Sequence, residues 1–230
     1  MFADMPSVAQ ARTGTGKTLG FLVPTIQNIL RKSPELAHRK RYSRARASDI
    51  RAIIISPTRE LAEQIAVEAE KLCDNTDLRV QVAVGGNSKR SMLQKTIREG
   101  CHILVGTPGR LQDLLSDPYS GVRAPNLTTL VLDEADRMLD MGFEPQIREI
   151  LTNLPERHQT LLFSATMPEE IESLANEYLN KPVRVKVGAV SRPTANVVQH
   201  LQKTNEQDKV AAFMALMSRT VSPMPSSRPS

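Results

Sequence analysis

The chain has 230 residues, 40% of them apolar, and carries a formal net charge of +5. That is material for one good-sized core, while apolar runs such as Ile53-Ile54-Ile55 or Leu130-Val131-Leu132 are far too short for a membrane-spanning helix. Cys73 and Cys101 stand in no metal-ligand spacing and no secretory segment opens the chain, so a reducing intracellular compartment is expected, with one bridge between the two thiols left open.

In chain order, the first segment with strand character is Val8–Ala11, with little apolar material ahead of it. It leads into Ala11-Arg12-Thr13-Gly14-Thr15-Gly16-Lys17-Thr18, which ends as a P-loop ends although alanine takes the first glycine position. Gly14 and Gly16 let the backbone turn so that successive N–H groups face anionic oxygens. Arg12, Thr13, Gly14, Thr15, Gly16, Lys17 and Thr18 are therefore the expected nucleotide-binding residues, with Lys17 reaching the β and γ phosphates and the Thr18 hydroxyl reaching Mg²⁺. The helix that follows buries Phe21, Leu22, Ile26, Ile29 and Leu30, and Pro24 lies early enough in it to be tolerated or else bends it.

From Arg31 to Arg51 there are eight basic and two acidic residues, an excess that leaves the rest of the chain slightly acidic. This insertion reads either as a solvated loop or as a flap that binds phosphate without sequence preference. Strands are expected at Ile50–Ser56, Arg79–Val84, His102–Gly106, Thr128–Asp133, Gln159–Ser164 and Val183–Val187. Between them, Leu61, Ile65, Ala69 and Leu72, and later Ile171, Leu174, Ala175, Tyr178 and Leu179, recur at helical spacing, with Pro168 in the first turn of the later helix. Strands alternating with helices predict an α/β nucleoside-triphosphatase core, a mostly parallel sheet flanked by helices on both faces.

Asp133 and Glu134 close an apolar strand, at the sheet edge where ligands bind in open α/β folds. Asp133 suits Mg²⁺ held through water, and Glu134 suits orienting the attacking water and accepting its proton. Lys17, Asp133 and Glu134 are the expected catalytic residues, and Thr18 and Asp133 the expected metal ligands.

At Asp133-Glu134-Ala135-Asp136 the sequence resembles a DEAD-box ATP-dependent RNA helicase. The likeness runs from about Val8 to Lys203 through Pro57-Thr58-Arg59-Glu60-Leu61-Ala62, Gly85-Gly86, Thr107-Pro108-Gly109-Arg110, Asp133–Asp136 and Ser164-Ala165-Thr166, in the family's order. The resemblance implies a RecA-like P-loop NTPase domain that uses ATP and Mg²⁺, with RNA as partner. It implies that Pro57, Thr58, Arg59, Gly85, Gly86, Thr107, Pro108, Gly109 and Arg110 grip the sugar-phosphate backbone, and that Ser164 and Thr166 bond to Asp136 and couple phosphate chemistry to strand separation. From the residues alone, Arg59 and Arg110 can donate to phosphate or sit in surface salt bridges, and Ser164-Ala165-Thr166 can serve as a helix cap.

The resemblance also divides the chain: 1–190 as a first motor domain without its upstream adenine-reading segment, 191–196 as a linker, 197–219 as the opening strand and helix of a missing second RecA-like domain, and 220–230 as a disordered tail. The chain alone is expected to be nearly inactive. The basic insertion and the Asp117–Gly121 stretch are similar to a fungal mitochondrial RNA-splicing branch, which implies a mitochondrial address. A module of another class, inactive and binding RNA or protein, remains the alternative, whereas a dinucleotide-binding oxidoreductase would leave Gly16-Lys17-Thr18 and Asp133–Asp136 without work.

Overall fold

Seven short strands align in one parallel sheet in the computed structural model of the chain; β2, β4 and β5 are buried on both faces, while the edge strand β7 is largely exposed. The structure describes residues 5–11, 16–38, 49–86, 99–187 and 202–220, with side chains only to residue 218 in the last segment. The strands are β1 (Ser7–Ala11), β2 (Ala52–Ile55), β3 (Val80–Ala83), β4 (Ile103–Gly106), β5 (Thr129–Leu132), β6 (Gln159–Ser164) and β7 (Val183–Val187). Their order across the sheet is β3-β4-β2-β5-β6-β1-β7, and every pairing is parallel.

The helices are α1 (Lys17–Lys32), α2 (Arg59–Leu72), α3 (Pro108–Leu115), α4 (Ala135–Asp140), α5 (Glu144–Asn153), α6 (Glu169–Tyr178) and α7 (Lys209–Thr220). Side chains alternate across each strand, so β2 sends Ala52 and Ile54 into a core shared with Phe21, Leu22 and Ile29 of α1 and Ile65 and Ala69 of α2. Ile53 and Ile55 enter the opposite core, with Leu111 of α3, Met138 of α4, Ile150 of α5 and Leu174 of α6. Each such isoleucine, fully withdrawn from water, contributes about 1.5–3 kcal/mol.

The strands expected as far as Val187 are all present, with β2, β3, β4 and β5 shorter by one or two residues at one or both ends. The buried stripe of α2 is Ala62, Ile65, Ala66 and Ala69, while Leu72 is exposed and Leu61 only partly covered. Reading the largest apolar residues rotated that helix from its true face, because alanines let its backbone approach the sheet. Thr25 likewise joins the buried face of α1, which runs unbroken through Pro24. Cys73 and Cys101 are both free and buried, so the possible bridge is not formed. Burial pushes the thiols up to about 11 and about 12 respectively.

By contact density the chain divides into residues 1–190 and 191–230. Of the second unit, a 3₁₀ turn (Glu206–Asp208) and α7 are described. The expected linker at 191–196, the strand at Val197–Leu201, the tail beyond residue 220 and the basic segment 39–48 lie outside the described residues. No described helix is long and apolar enough to cross a membrane.

Candidate nucleotide and nucleic-acid site

Because every strand runs the same way, all their C-terminal ends share one edge of the sheet, and the motifs follow those ends. Strand order then sorts them. The segments after β1, β5 and β6 form one end of the edge, and those after β2, β3 and β4 form the other.

At the first end, Lys17 and Thr18 open α1 directly after Gly16, whose φ of 81° is a left-handed conformation that glycine adopts at little cost. Arg12, Thr13, Gly14 and Thr15 fall outside the described residues. Lys17 Nζ and Asp133 Oδ1 are both buried and neither has a hydrogen-bond partner. Burial raises the Asp133 carboxyl to about 6, Lys17 pulls it back and Glu134 pushes it further up. A buried ammonium with no acceptor, next to a buried carboxylate that the Glu134 N–H serves but whose Oδ1 has no partner, is a costly arrangement.

Those orphaned groups fit a magnesium nucleotide, with Thr18 next in sequence to Lys17 and lining a cavity with Glu60, Leu61 and Gln64 of α2. The ammonium offers donors to phosphate oxygens, and Asp133 and Thr18 offer the oxygen ligands that Mg²⁺ prefers. When bound, the ion would neutralise phosphate charge. Among the described residues no group of three His, Cys, Asp or Glu side chains is gathered as a metal cage.

Glu134 adopts φ 53° and ψ 51°, one of two left-handed non-glycine residues among those described. Its Oε2 accepts from Arg137 Nη1 at 3.2 Å. Asp136, in the first turn of α4, accepts from the Thr166 N–H at 2.9 Å and the Thr166 hydroxyl at 2.8 Å, both on Oδ2. Although burial pushes the Asp136 carboxyl up, the Thr166 bonds, with help from the nearby Ser164 hydroxyl and the Arg137 N–H, hold it below the usual carboxylate range. Ser164 Oγ is buried and makes no hydrogen bond of ordinary geometry. The capping role allowed for Ser164-Ala165-Thr166 is not taken up: Pro168, expected in the first turn, is the extended N-cap of α6, which has no side-chain cap, and the Thr166 hydroxyl is turned to Asp136.

At the other end, Thr58 caps α2 by accepting from the Leu61 N–H at 3.3 Å, which leaves its own hydroxyl proton for a further partner. Arg59 Nε donates to Glu63 at 2.9 Å and its Nη1 to the Gly85 carbonyl at 3.4 Å. A Cβ on Gly86, whose φ is 86°, would stand 3.0 Å from Arg59 Nη1. The structure therefore brings Pro57-Thr58-Arg59 and Gly85-Gly86 together. Thr107 is the N-cap of α3, its N–H donating to Ala83 O at 3.0 Å, with Pro108 and Gly109 in the first turn. Arg110 follows, with Nη1 buried and unpartnered.

Two contributors escaped the motif reading. Gly106 precedes the Thr107 motif, and a Cβ there would lie 2.3 Å from Ala83 O, so only glycine lets β3 and β4 close up at the site. Arg137 follows the acidic motif; its i,i+3 spacing from Glu134 was the available signal.

A family model described as DEAD/DEAH box helicase matches residues 3–174. The chain is 63% identical over 178 residues to the mitochondrial ATP-dependent RNA helicase cyt-19 of Neurospora crassa, an alignment covering 76% of this chain and 28% of that protein. It is 59% identical over 175 residues to the mitochondrial ATP-dependent RNA helicase mss116 of Aspergillus fumigatus, covering 74% and 27% respectively. The chain thus spans little more than a quarter of these relatives' length. Among solved structures it resembles a DEAD box protein from Methanococcus jannaschii, with TM-score 0.67 and 36% identity over 93% of this chain and 52% of that one. It also resembles the yeast DEAD-box splicing factor Prp28, with TM-score 0.72 and 35% identity over 94% and 49%.

Proposed function

The chain belongs to the DEAD/DEAH box helicase family, and from that premise we propose that it binds Mg²⁺–ATP and RNA as the first motor domain of an ATP-dependent RNA helicase. The observation that carries the nucleotide half is the pair of buried, unpartnered groups, Lys17 Nζ and Asp133 Oδ1, at one end of the strand-terminal edge. Lys17 binds the phosphates, Thr18 and Asp133 hold the ion, and Glu134 orients the attacking water and takes its proton. Arg12, Thr13, Gly14 and Thr15 complete the phosphate loop in this reading.

RNA would lie along the other end, its phosphates meeting Thr58, Arg59, the Gly85-Gly86 turn, the first turn of α3 and Arg110. Such contacts fix position without reading bases. Asp136, Ser164 and Thr166 would carry the state of the nucleotide end to a second RecA-like domain. That domain supplies closure over ATP in the reading proposed here, and residues 197–219 would be its opening strand and helix. The names of the two fungal relatives support a mitochondrial location.

Isothermal titration of the chain with Mg²⁺–ATP, beside Lys17→Ala, tests the nucleotide half. Fluorescence anisotropy with single-stranded RNA at several salt concentrations tests the other. Micromolar-range nucleotide binding that Lys17→Ala weakens, together with salt-dependent RNA binding, is expected. RNA binding alone, indifferent to ATP and to Lys17→Ala, would favour an inactive binding module.

A further inference from the structure

Glu134, the proposed water-orienting acid, is held by a residue outside every motif described above. Its left-handed backbone, φ 53° and ψ 51°, is a strained conformation for a side chain of this size, and such residues persist where neighbours over-determine them. The backbone there is held by the Met138 N–H on the Glu134 carbonyl and the Asp133 N–H on the Ile55 carbonyl, and Arg137 engages the side chain. Its guanidinium Nη1 donates to Glu134 Oε2 at 3.2 Å, and its backbone N–H donates to Asp136 Oδ1 at 3.1 Å. One residue is thereby tied to two acids of the same motif. The Glu134 side chain is 18% exposed and that of Arg137 is 56% exposed, so the arginine closes over the acid from the solvent side.

We propose that Arg137 is a positioning residue for ATP hydrolysis, an inference that rests on the hydrolytic reading above. By engaging Oε2, the arginine fixes the Glu134 side chain and leaves Oε1 to face the attacking water. In the step it serves, the water oxygen bonds to the γ-phosphorus as the bond from that phosphorus to the β–γ bridging oxygen breaks. The bridging oxygen leaves with the electron pair, and the water proton passes to Glu134 Oε1. A planar guanidinium one helical turn away suits this task, because it restrains a carboxylate by direction as well as by charge.

An exposed i,i+3 ion pair contributes little to stability, so its loss can be read as a change of geometry and not as unfolding. The test is single-turnover release of labelled phosphate from Mg²⁺–ATP by the full 230-residue chain, with nucleotide affinity measured by titration alongside. Arg137→Ala is expected to slow release on the order of tenfold, as misplacement of a reacting group does, with affinity changed by no more than about twofold. Arg137→Lys should restore most of the rate. In a Glu134→Gln background, Arg137→Ala should have no further effect, since the group it positions is already gone.

Unchanged or faster release in Arg137→Ala would overturn the inference, as would an equal loss in the Glu134→Gln background. So would a wild-type rate no higher than that of Glu134→Gln. A wild-type chain that binds no Mg²⁺–ATP would instead bring down the hydrolytic reading itself, and the inference with it.

Discussion

Asp136 Oδ2 accepts two hydrogen bonds from one residue, the N–H and the hydroxyl of Thr166, and so joins the start of α4 to the end of β6. Both bonds go to a carboxylate, and the second exists only because residue 166 has a hydroxyl. Thr166→Val keeps the shape and the N–H bond. It should lower stability by about 1–2 kcal/mol at pH 7, the scale of a bond to a charged group. The folded Asp136 carboxyl is held below its ordinary value, so its stabilisation is present above the unfolded value and is lost as pH falls through the folded one. The gap between wild type and Thr166→Val in urea melts should therefore narrow in acid. A gap that widens below the carboxylate range would contradict the assignment.

Asp133 should behave in the opposite sense. Burial raises its folded value to about 6, above the ordinary 3.8, so its protonated form is the comfortable one in the apo chain. Stability from this group is full below about 4 and is lost as pH rises through about 6. Asp133→Asn, melted in urea without Mg²⁺, should match wild type near pH 4 and exceed it at pH 7.5 by about 1–3 kcal/mol. A variant less stable than wild type at pH 7.5 would show that Lys17 and the Glu134 N–H outweigh the burial of Asp133 in the apo fold.

For Lys17, binding and stability should part company. The ammonium is buried with no hydrogen-bond acceptor, so Lys17→Ala should leave the apo melting temperature unchanged or raise it. Mg²⁺–ATP affinity should fall at least about tenfold with the loss of a charge-assisted donor. Equal nucleotide affinity of the two proteins, measured by titration, would remove Lys17 from the site.

Gly106→Ala should damage the fold and the nucleic-acid end together. The new methyl would meet Ala83 O at 2.3 Å and Leu111 Cγ at 3.0 Å, so β3 or α3 must move. A loss of about 1–3 kcal/mol is expected from overpacking. RNA affinity should drop while Mg²⁺–ATP affinity holds, since the displaced elements lie beyond β2 from the nucleotide end.

Arg110→Ala should weaken single-stranded RNA of unrelated sequences alike, and the salt dependence should become shallower by roughly one phosphate contact. Unaltered affinity across several RNAs would make Arg110 a structural residue whose buried Nη1 serves only the packing of α3.

Much of this arrangement was legible in the sequence, for physical reasons that differ by element. β2, β4 and β5 read as continuous Ile, Val and Leu runs because both faces are buried, and they were located to within two residues. The acidic pair after β5 and the glycines at 85 and 86 announce themselves by residue type. The face of α2 was misjudged because alanine carries little hydrophobic signal yet permits close approach. Gly106 looked like the end of a strand, since its necessity lies in Ala83, a neighbour far along the chain. Arg137 resembled an ordinary surface arginine until the backbone of Glu134 turned left-handed.

The strand order also fixes a length. From β1, which feeds the phosphate loop, to β4, which feeds Thr107 and Arg110, there are four steps across the sheet, through β6, β5 and β2. At the usual spacing of hydrogen-bonded strands those steps amount to about 19 Å, and a close-packed parallel sheet gives little under load. The edge is in effect a ruler, with the proposed nucleotide site at one mark and the proposed nucleic-acid site at another. Connections that enter the N-terminal ends of the strands lie at the opposite edge, so they can differ in length without recalibrating the distance between the two marks.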